Sequence, residues 1–378
     1  MVYLDHNATT PVRSEVLRTV REAMTEYWGN PSSTHSLGRK AFACLETARE
    51  RLASILGASS RELFFTSGGT ESDNLAILGI ADQWGDGNIV ISAIEHAAVH
   101  DAAYSLKAKG FEIREIPVDE NGIIAPESAL ERVDDKTRLV SVMYANNEIG
   151  SVEPIREVGE KLASRGVPFH CDAVQAFGKV PVDVRLENVS LLSISSHKIY
   201  GPKGCGALYA RSGTSFRPRT FGGGQERNMR TGTQNLPAIL GFVSAAELAM
   251  KTLEADALRI NDLTEMMFQK ISDKIENVIR NGHPRRKIPG TLSICIPGAE
   301  TESLLASLDQ EGICASGGAA CSSGSVGASR TLLAIGRRKV DAICTVRFSI
   351  GRNNTVDEIN TAVDVLEKVT NRIRQANL

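Results

Sequence analysis

Apolar positions near the N-terminus recur at helical spacing in two amphipathic stretches, which predict helices over Glu15 to Tyr27 and Arg39 to Leu56. Beyond them the pattern changes to short, largely apolar runs, each followed by a loop and a further helical stretch. Runs at 62–65, 88–92, 138–142, 167–170 and 191–194 read as strands. Strands with so few polar positions are covered on both faces, which predicts an α/β fold with a mainly parallel sheet. A long helical pattern over 248–272 and a basic turn, His283-Pro284-Arg285-Arg286-Lys287, precede two more strands and more helix. A smaller α+β domain is expected there, giving a large domain over 16–250 and a small one from 1–15 and 251–378. Ser316 to Ser329 is almost entirely Gly, Ala and Ser, the composition of a loop.

Composition adds exclusions. A chain of 378 residues with 42% hydrophobic content can bury a core of two-domain size. A net charge of -2 leaves no basic footprint for nucleic acid or an anionic membrane. No run approaches the roughly 20 apolar residues of a membrane span, and Met1-Val2-Tyr3-Leu4-Asp5 does not read as a secretion signal. A cytoplasmic location is expected. The seven cysteines are scattered, without a C-x-x-C pair, so neither a disulfide framework nor a bound metal is expected.

In open α/β sheets, ligands collect beyond the carboxyl ends of strands, so the residues after each apolar run carry the chemistry. Thr66-Ser67-Gly68-Gly69-Thr70-Glu71 follows a strand and opens a helix, where backbone N–H groups and the Thr70 hydroxyl can approach a phosphate. By itself it is equally an ordinary turn, matching neither the P-loop nor the dinucleotide pattern. Ser195-Ser196-His197-Lys198 also follows a strand. A lysine that forms a Schiff base must be neutral part of the time, and burial near other cations lowers its pKa. Alone, Lys198 reads as a solvated loop lysine, but hydroxyl and imidazole donors stand beside it. In His170-Cys171-Asp172-Ala173-Val174-Gln175 the carboxylate can hold a pyridine nitrogen protonated and Gln175 can reach a ring hydroxyl, although an Asp after a strand is commonly a helix N-cap. His96, after another strand, can stack on an aromatic cofactor or serve structure alone. Asn147 sits in a turn from which its amide can touch a ligand.

Taken in order, Leu4-Asp5-His6-Asn7-Ala8-Thr9-Thr10-Pro11, Gly29-Asn30-Pro31-Ser32-Ser33, Thr66 to Asn74, Ala145 to Gly150, Ser196 to Gly204, Gly222-Gly223-Gly224-Gln225-Glu226-Arg227 and Arg347 to Arg352 resemble the cysteine desulfurases. These are pyridoxal-phosphate enzymes of the class V aminotransferase group. The resemblance runs end to end. It implies a fold type I pyridoxal-phosphate-dependent transferase that converts L-cysteine to L-alanine and leaves the sulfur as a persulfide on an enzyme cysteine.

Position by position, the resemblance makes Lys198 the residue that holds pyridoxal 5'-phosphate, with Asp172 on the pyridine nitrogen, Gln175 on the ring hydroxyl and His96 over the ring. Thr70, Ser195 and His197 would hold the phosphate. Thr233 would reach the phosphate of the neighbouring subunit, which implies a homodimer. Arg352 would clamp the substrate α-carboxylate, a task suited to a planar guanidinium, with Asn147 assisting. Cys321 would take the sulfur. Among the seven cysteines it is set in a segment of small residues that place few steric limits on the backbone, whereas Cys171, Cys205, Cys295 and Cys344 flank apolar runs and read as core residues. Cys44 lies in a helical pattern and Cys314 close to the loop.

Two departures stand out. The family's loop often reads Ser-Ser-Gly-Ser-Ala-Cys, where this chain has Ser316-Gly317-Gly318-Ala319-Ala320-Cys321. Val326-Gly327-Ala328-Ser329-Arg330 also lacks an acidic, proline-containing version. The sulfur acceptor is expected to be a partner protein such as a scaffold for iron–sulfur cluster assembly. A selenocysteine lyase or class V transaminase would share nearly every cofactor residue, and Cys321 separates them, since transamination has no use for it. A chain that only docks into a sulfur-transfer assembly is the non-catalytic alternative, and would lack the yellow colour of the cofactor.

Overall fold

The computed structural model describes residues 1–317 and 328–376. At its centre is a seven-stranded sheet in the order Leu63–Thr66, Gly206–Ala210, Leu191–Ser195, Phe169–Asp172, Thr137–Ser141, Asn88–Ser92, Glu112–Ile116. Every neighbouring pair is parallel except those made by Gly206–Ala210, which runs antiparallel to both of its neighbours. All five strands expected from apolar runs are present within two residues of their predicted ends. Gly206–Ala210 and Glu112–Ile116 were not expected. The first follows the Lys198 turn directly. The second, Glu112-Ile113-Arg114-Glu115-Ile116, is an edge strand whose charged positions face water and hide the strand pattern.

Alternate residues along these strands enter two different cores. Phe65, Val90, Val140, Cys171 and Ile194 join one apolar cluster, and Phe64, Ile89, Leu139, Leu191 and Leu208 the other. The period of two in a strand, with helices over both faces, accounts for the near absence of polar positions.

A four-stranded antiparallel sheet, Ser316–Gly317, Thr345–Ser349, Thr291–Cys295, Ile279–Asn281, forms the second centre of packing. Its cluster includes Leu292, Phe348, Ile359 and Leu366, together with Val2 and Leu4 of the N-terminus. Val2–Tyr3 pairs in parallel with Ile313–Cys314.

The helix expected over 248–272 runs from Leu236 to Lys274. Asn235 accepts a hydrogen bond from the Ala238 N–H at its start, and Pro237 occupies the first turn, where no intrahelical N–H is needed. Its first turns bury Leu236, Ile239, Phe242 and Val243 against the large cluster, and its later turns bury Ile260, Leu263, Met267 and Ile271 against the small one. By length and composition it could cross a membrane. Here its apolar residues are spent on the two cores instead.

Arg49 and Glu226 form a fully buried bidentate pair, Nη1 to Oε2 at 2.6 Å and Nη2 to Oε1 at 2.9 Å. Glu226 also accepts from the Phe65 N–H at 2.9 Å, so it ties the Gly-rich segment 222–227 to the sheet edge. Removing one partner of such a pair strands the other charge in the interior. Glu226→Ala is therefore expected to cost about 3–5 kcal/mol in urea unfolding. A loss under about 1 kcal/mol, the size of a surface pair, would show that the pair adds little.

Candidate active site

At the carboxyl ends of the parallel strands a cavity of about 280 Å³ is lined by Thr70, His96, Asn147, Asp172, Gln175, Ser195, His197 and Lys198. Eight residues singled out from five strand ends thus meet in one place. The phosphate-sized corner begins at the helix Gly69–Trp84, whose first turn has no side-chain cap, so its N–H groups are available to an anion. A Cβ at Gly69 would sit 2.6 Å from Val174, so glycine is what allows the helix start to close on the turn after Asp172. Ser195 Oγ is buried and has no hydrogen-bond partner among the described residues. A buried hydroxyl left over beside open N–H groups is the signature of a polar ligand's place.

Asp172 ends the strand Phe169–Asp172, and its Oδ1 accepts from the Val174 N–H at 2.9 Å. It closes a tight turn and caps no helix. Burial raises its pKa against the pull of His96, the Val174 N–H and Lys198. Beside it lies Asp73, fully buried and also lining the cavity. Burial, then the charge of Asp172, push the Asp73 pKa well up.

Behind them His170 bridges Ser141 and Ser193 at 2.9 and 3.0 Å. Burial holds its pKa down near 3, which makes it a neutral spacer. His96 Nδ1 accepts from the Ala98 N–H at 3.1 Å and starts the helix Ala97–Ser105, which leaves Nε2 to carry a proton. His197 Nδ1 lies 3.1 Å from Thr9 Oγ1, and burial followed by Lys198 lowers its pKa to about 4, so it lines the cavity as a neutral imidazole.

Lys198 closes a single 3-10 turn after the strand Leu191–Ser195. Its Nζ donates to the carbonyls of Asn7 and Ala8 at 2.6 and 2.8 Å. Gln175 Nε2 donates to the same Asn7 carbonyl at 2.9 Å, while its Oε1 accepts from Lys179 Nζ at 2.8 Å. The N-terminal segment, packed in the small cluster through Leu4, thereby reaches into the floor of the pocket.

Two expected residues lie elsewhere, and a third is not described. Thr233 is exposed ahead of the long helix and does not line its own chain's pocket. Arg352 lines an adjoining cavity, where its Nε stands 3.7 Å from Asp256. Cys321 lies outside the described residues. Of the six cysteines within them, none lines the pocket. Burial raises the thiol pKa of Cys44, Cys171 and Cys344, and takes Cys295 to about 11 and Cys205 to about 12. Thiols held protonated in this way are poor nucleophiles.

Sequence reasoning missed Asp73, Lys179 and Arg347. Arg347 is 2% exposed, lines the pocket, and donates to the Asn147 carbonyl at 2.9 Å and to Asp5 at 2.8 Å. Its signal was available: a lone arginine between Val346 and Phe348 in an otherwise apolar strand needs a polar partner inside.

Residues 2–361 match the family model of class V aminotransferases. The chain is 42% identical over 375 residues to the cysteine desulfurase IscS of Methanosarcina thermophila, covering 99% of this chain and 93% of that protein. The solved structure of a NifS-like protein superposes with a TM-score of 0.92 at 34% identity, covering 98% of this chain and 99% of that one. That of SspA in complex with cysteine does so with a TM-score of 0.83 at 32% identity, covering 94% and 100%.

Proposed function

Since the chain belongs to the cysteine desulfurases of the class V aminotransferase family, we propose that Lys198 holds its pyridoxal phosphate and that Cys321 receives the sulfur. The reaction converts L-cysteine and an enzyme thiol to L-alanine and an enzyme persulfide: the substrate Cβ–Sγ bond breaks and a bond from that sulfur to Cys321 Sγ forms. The observation that carries the site assignment is the convergence of Lys198, Asp172, Gln175 and His96 beside the unpartnered Ser195 hydroxyl. This donor set fits the cofactor at each end, with the open helix start, Thr70, Ser195 and His197 for the phosphate and Asp172 for the pyridine nitrogen. When bound, pyridoxal phosphate supplies a carbonyl that condenses with amines and a ring that stabilises negative charge at the substrate Cα.

The chain's own residues do the rest. Lys198, released by substrate, takes the α-proton on Nζ. Asp172 would face the pyridine nitrogen, where His96, the Val174 N–H and Lys198 oppose the rise in pKa that burial causes. His96 moves a proton through Nε2 near the substrate sulfur. The segment containing Cys321 leaves Gly317, which pairs with Val346 next to Arg347. It returns at Ser329 and Arg330, which bond to Glu148 and to the Glu95 carbonyl, the neighbours of Asn147 and His96. Cys321 is four residues beyond Gly317, a chain reach of up to about 13–14 Å. Both ends of its segment are thus fastened to the rim of the pocket.

The large unit over 16–250 and the small one from 1–15 and 251–378 belong to this proposal, as do a homodimer in which Thr233 serves the other chain's phosphate and a protein acceptor such as an iron–sulfur scaffold. Reading the pocket, we assign the substrate carboxylate to Arg347 rather than to Arg352. A guanidinium fork on a carboxylate contributes about 1.5–3 kcal/mol, so Arg347→Lys is expected to raise KM for L-cysteine roughly 10- to 150-fold with a smaller change in kcat. Arg352→Lys should move KM less. The reverse order would return the clamp to Arg352. The activity itself is tested by incubating cofactor-loaded protein with L-cysteine and a thiol reductant: alanine and sulfide in equal amounts support it, and a keto acid in place of alanine points to transamination.

A further inference from the structure

Lys198 also lines a second, smaller cavity, of about 50 Å³, which none of the chemistry above uses. Arg13 and Arg352 both line it, and the Nε of each is buried without a hydrogen-bond partner. The Arg13 side chain is only 10% exposed, and the acid nearest to it, Glu15, stands 3.6 Å away. Asp256 is 3.7 Å from Arg352 Nε and already accepts the Thr252 hydroxyl at 2.7 Å. Leaving one buried guanidinium N–H unsatisfied is costly, and two arginines that line one cavity both have an Nε without an acceptor among the described residues. Lys179 lines the same space, and Asp256 is the one acid among its lining residues. The charge balance favours an anion.

Tyr200 supports the reading independently. It is a bulky residue held at φ 65, in the left-handed region. Its N–H donates to Thr10 Oγ1 at 2.7 Å, its carbonyl accepts from the Arg13 N–H at 3.1 Å, and its hydroxyl oxygen accepts from the Arg352 N–H at 2.8 Å. The strained residue therefore ties together the two arginine backbones at the cavity wall, which is where strain is retained for a purpose.

The remaining wall is aliphatic, with Leu253, Ala257, Ile260 and Ile350. At about 10–15 Å³ per water-sized group, the space admits roughly three to five non-hydrogen atoms. We propose that this cavity is a second ligand site, separate from the substrate pocket, that takes a short aliphatic carboxylate on Arg13 and Arg352. A carboxylate matches the guanidinium fork, and a short alkyl tail matches the aliphatic end.

The test measures propionate binding to the full-length, cofactor-loaded protein by calorimetry, with sulfate as the inorganic comparison. Arg13→Gln should weaken propionate by about tenfold or more, the loss of one charge-assisted hydrogen bond. Ala257→Leu, which fills the aliphatic end without touching charge, should weaken it comparably, and it decides the matter should Arg13→Gln not fold. Arg347→Lys, in the substrate pocket, should leave it within about twofold. Wild-type affinity in both cavity variants, or loss only in Arg347→Lys, overturns the site. Sulfate binding more tightly than propionate with the same Arg13 dependence overturns the carboxylate assignment. Because binding is read without turnover, this outcome is independent of whether the chain desulfurates cysteine.

Discussion

Replacing Lys198 with alanine is expected to lower alanine formation from L-cysteine by roughly 10²–10⁴-fold, the contribution of a positioned proton carrier, and to abolish borohydride-stable attachment of the cofactor. Among the residues lining the pocket Lys198 has the one primary amine. Lys179, the nearest alternative in sequence, could be thought a substitute, since burial, followed by Lys198 and Arg347, brings its pKa down to about 7. Its Nζ is already bonded to Asn7 Oδ1 and Gln175 Oε1 at 2.9 and 2.8 Å, and it lines the adjoining cavity rather than the pocket. Turnover retained within about tenfold would mean that another amine does the work.

Cys321→Ala is expected to stop sulfide release, with a fall of at least about 10²-fold, while the protein keeps its yellow cofactor. The two effects separate because the residues proposed to hold the cofactor, Thr70, Asp172, Gln175, Ser195, His197 and Lys198, do not include that thiol. The other cysteines offer no detour. Cys171 and Cys205 are strand and turn residues packed in the large core, and Cys295 in the small sheet is equally buried. If the variant released sulfide at the wild-type rate, the sulfur would pass to an external thiol without an enzyme persulfide.

The site was legible in the sequence to the extent that each residue follows a strand. Thr70, His96, Asn147, Asp172, Gln175, Ser195, His197 and Lys198 all sit where apolar runs stop, and a parallel sheet brings its carboxyl ends together. Residues that reach the pocket in other ways stayed hidden. Asp73 enters from the second turn of a helix, Arg347 from the middle of a strand in the small sheet, and Asn7 from the N-terminal segment. Their places depend on packing between distant parts of the chain, which periodicity does not encode. Arg352 shows the complementary limit: it belongs to a recognisable block, and only the turn after the strand Thr345–Ser349 decides which cavity its side chain lines. The helix Leu236–Lys274 was read twelve residues short because its first turns are buried nearly all round and lack an amphipathic stripe.

In the proposed reaction the sulfur of L-cysteine passes to Cys321. This transfer is tested most directly by a single turnover without reductant, in which alanine is quantified and the peptide containing residue 321 is weighed by mass spectrometry. One equivalent of alanine per active site is expected, with the mass of one added sulfur atom on that peptide, lost on treatment with a thiol. Alanine formed without sulfur on Cys321, or a keto acid formed in its place, would contradict it.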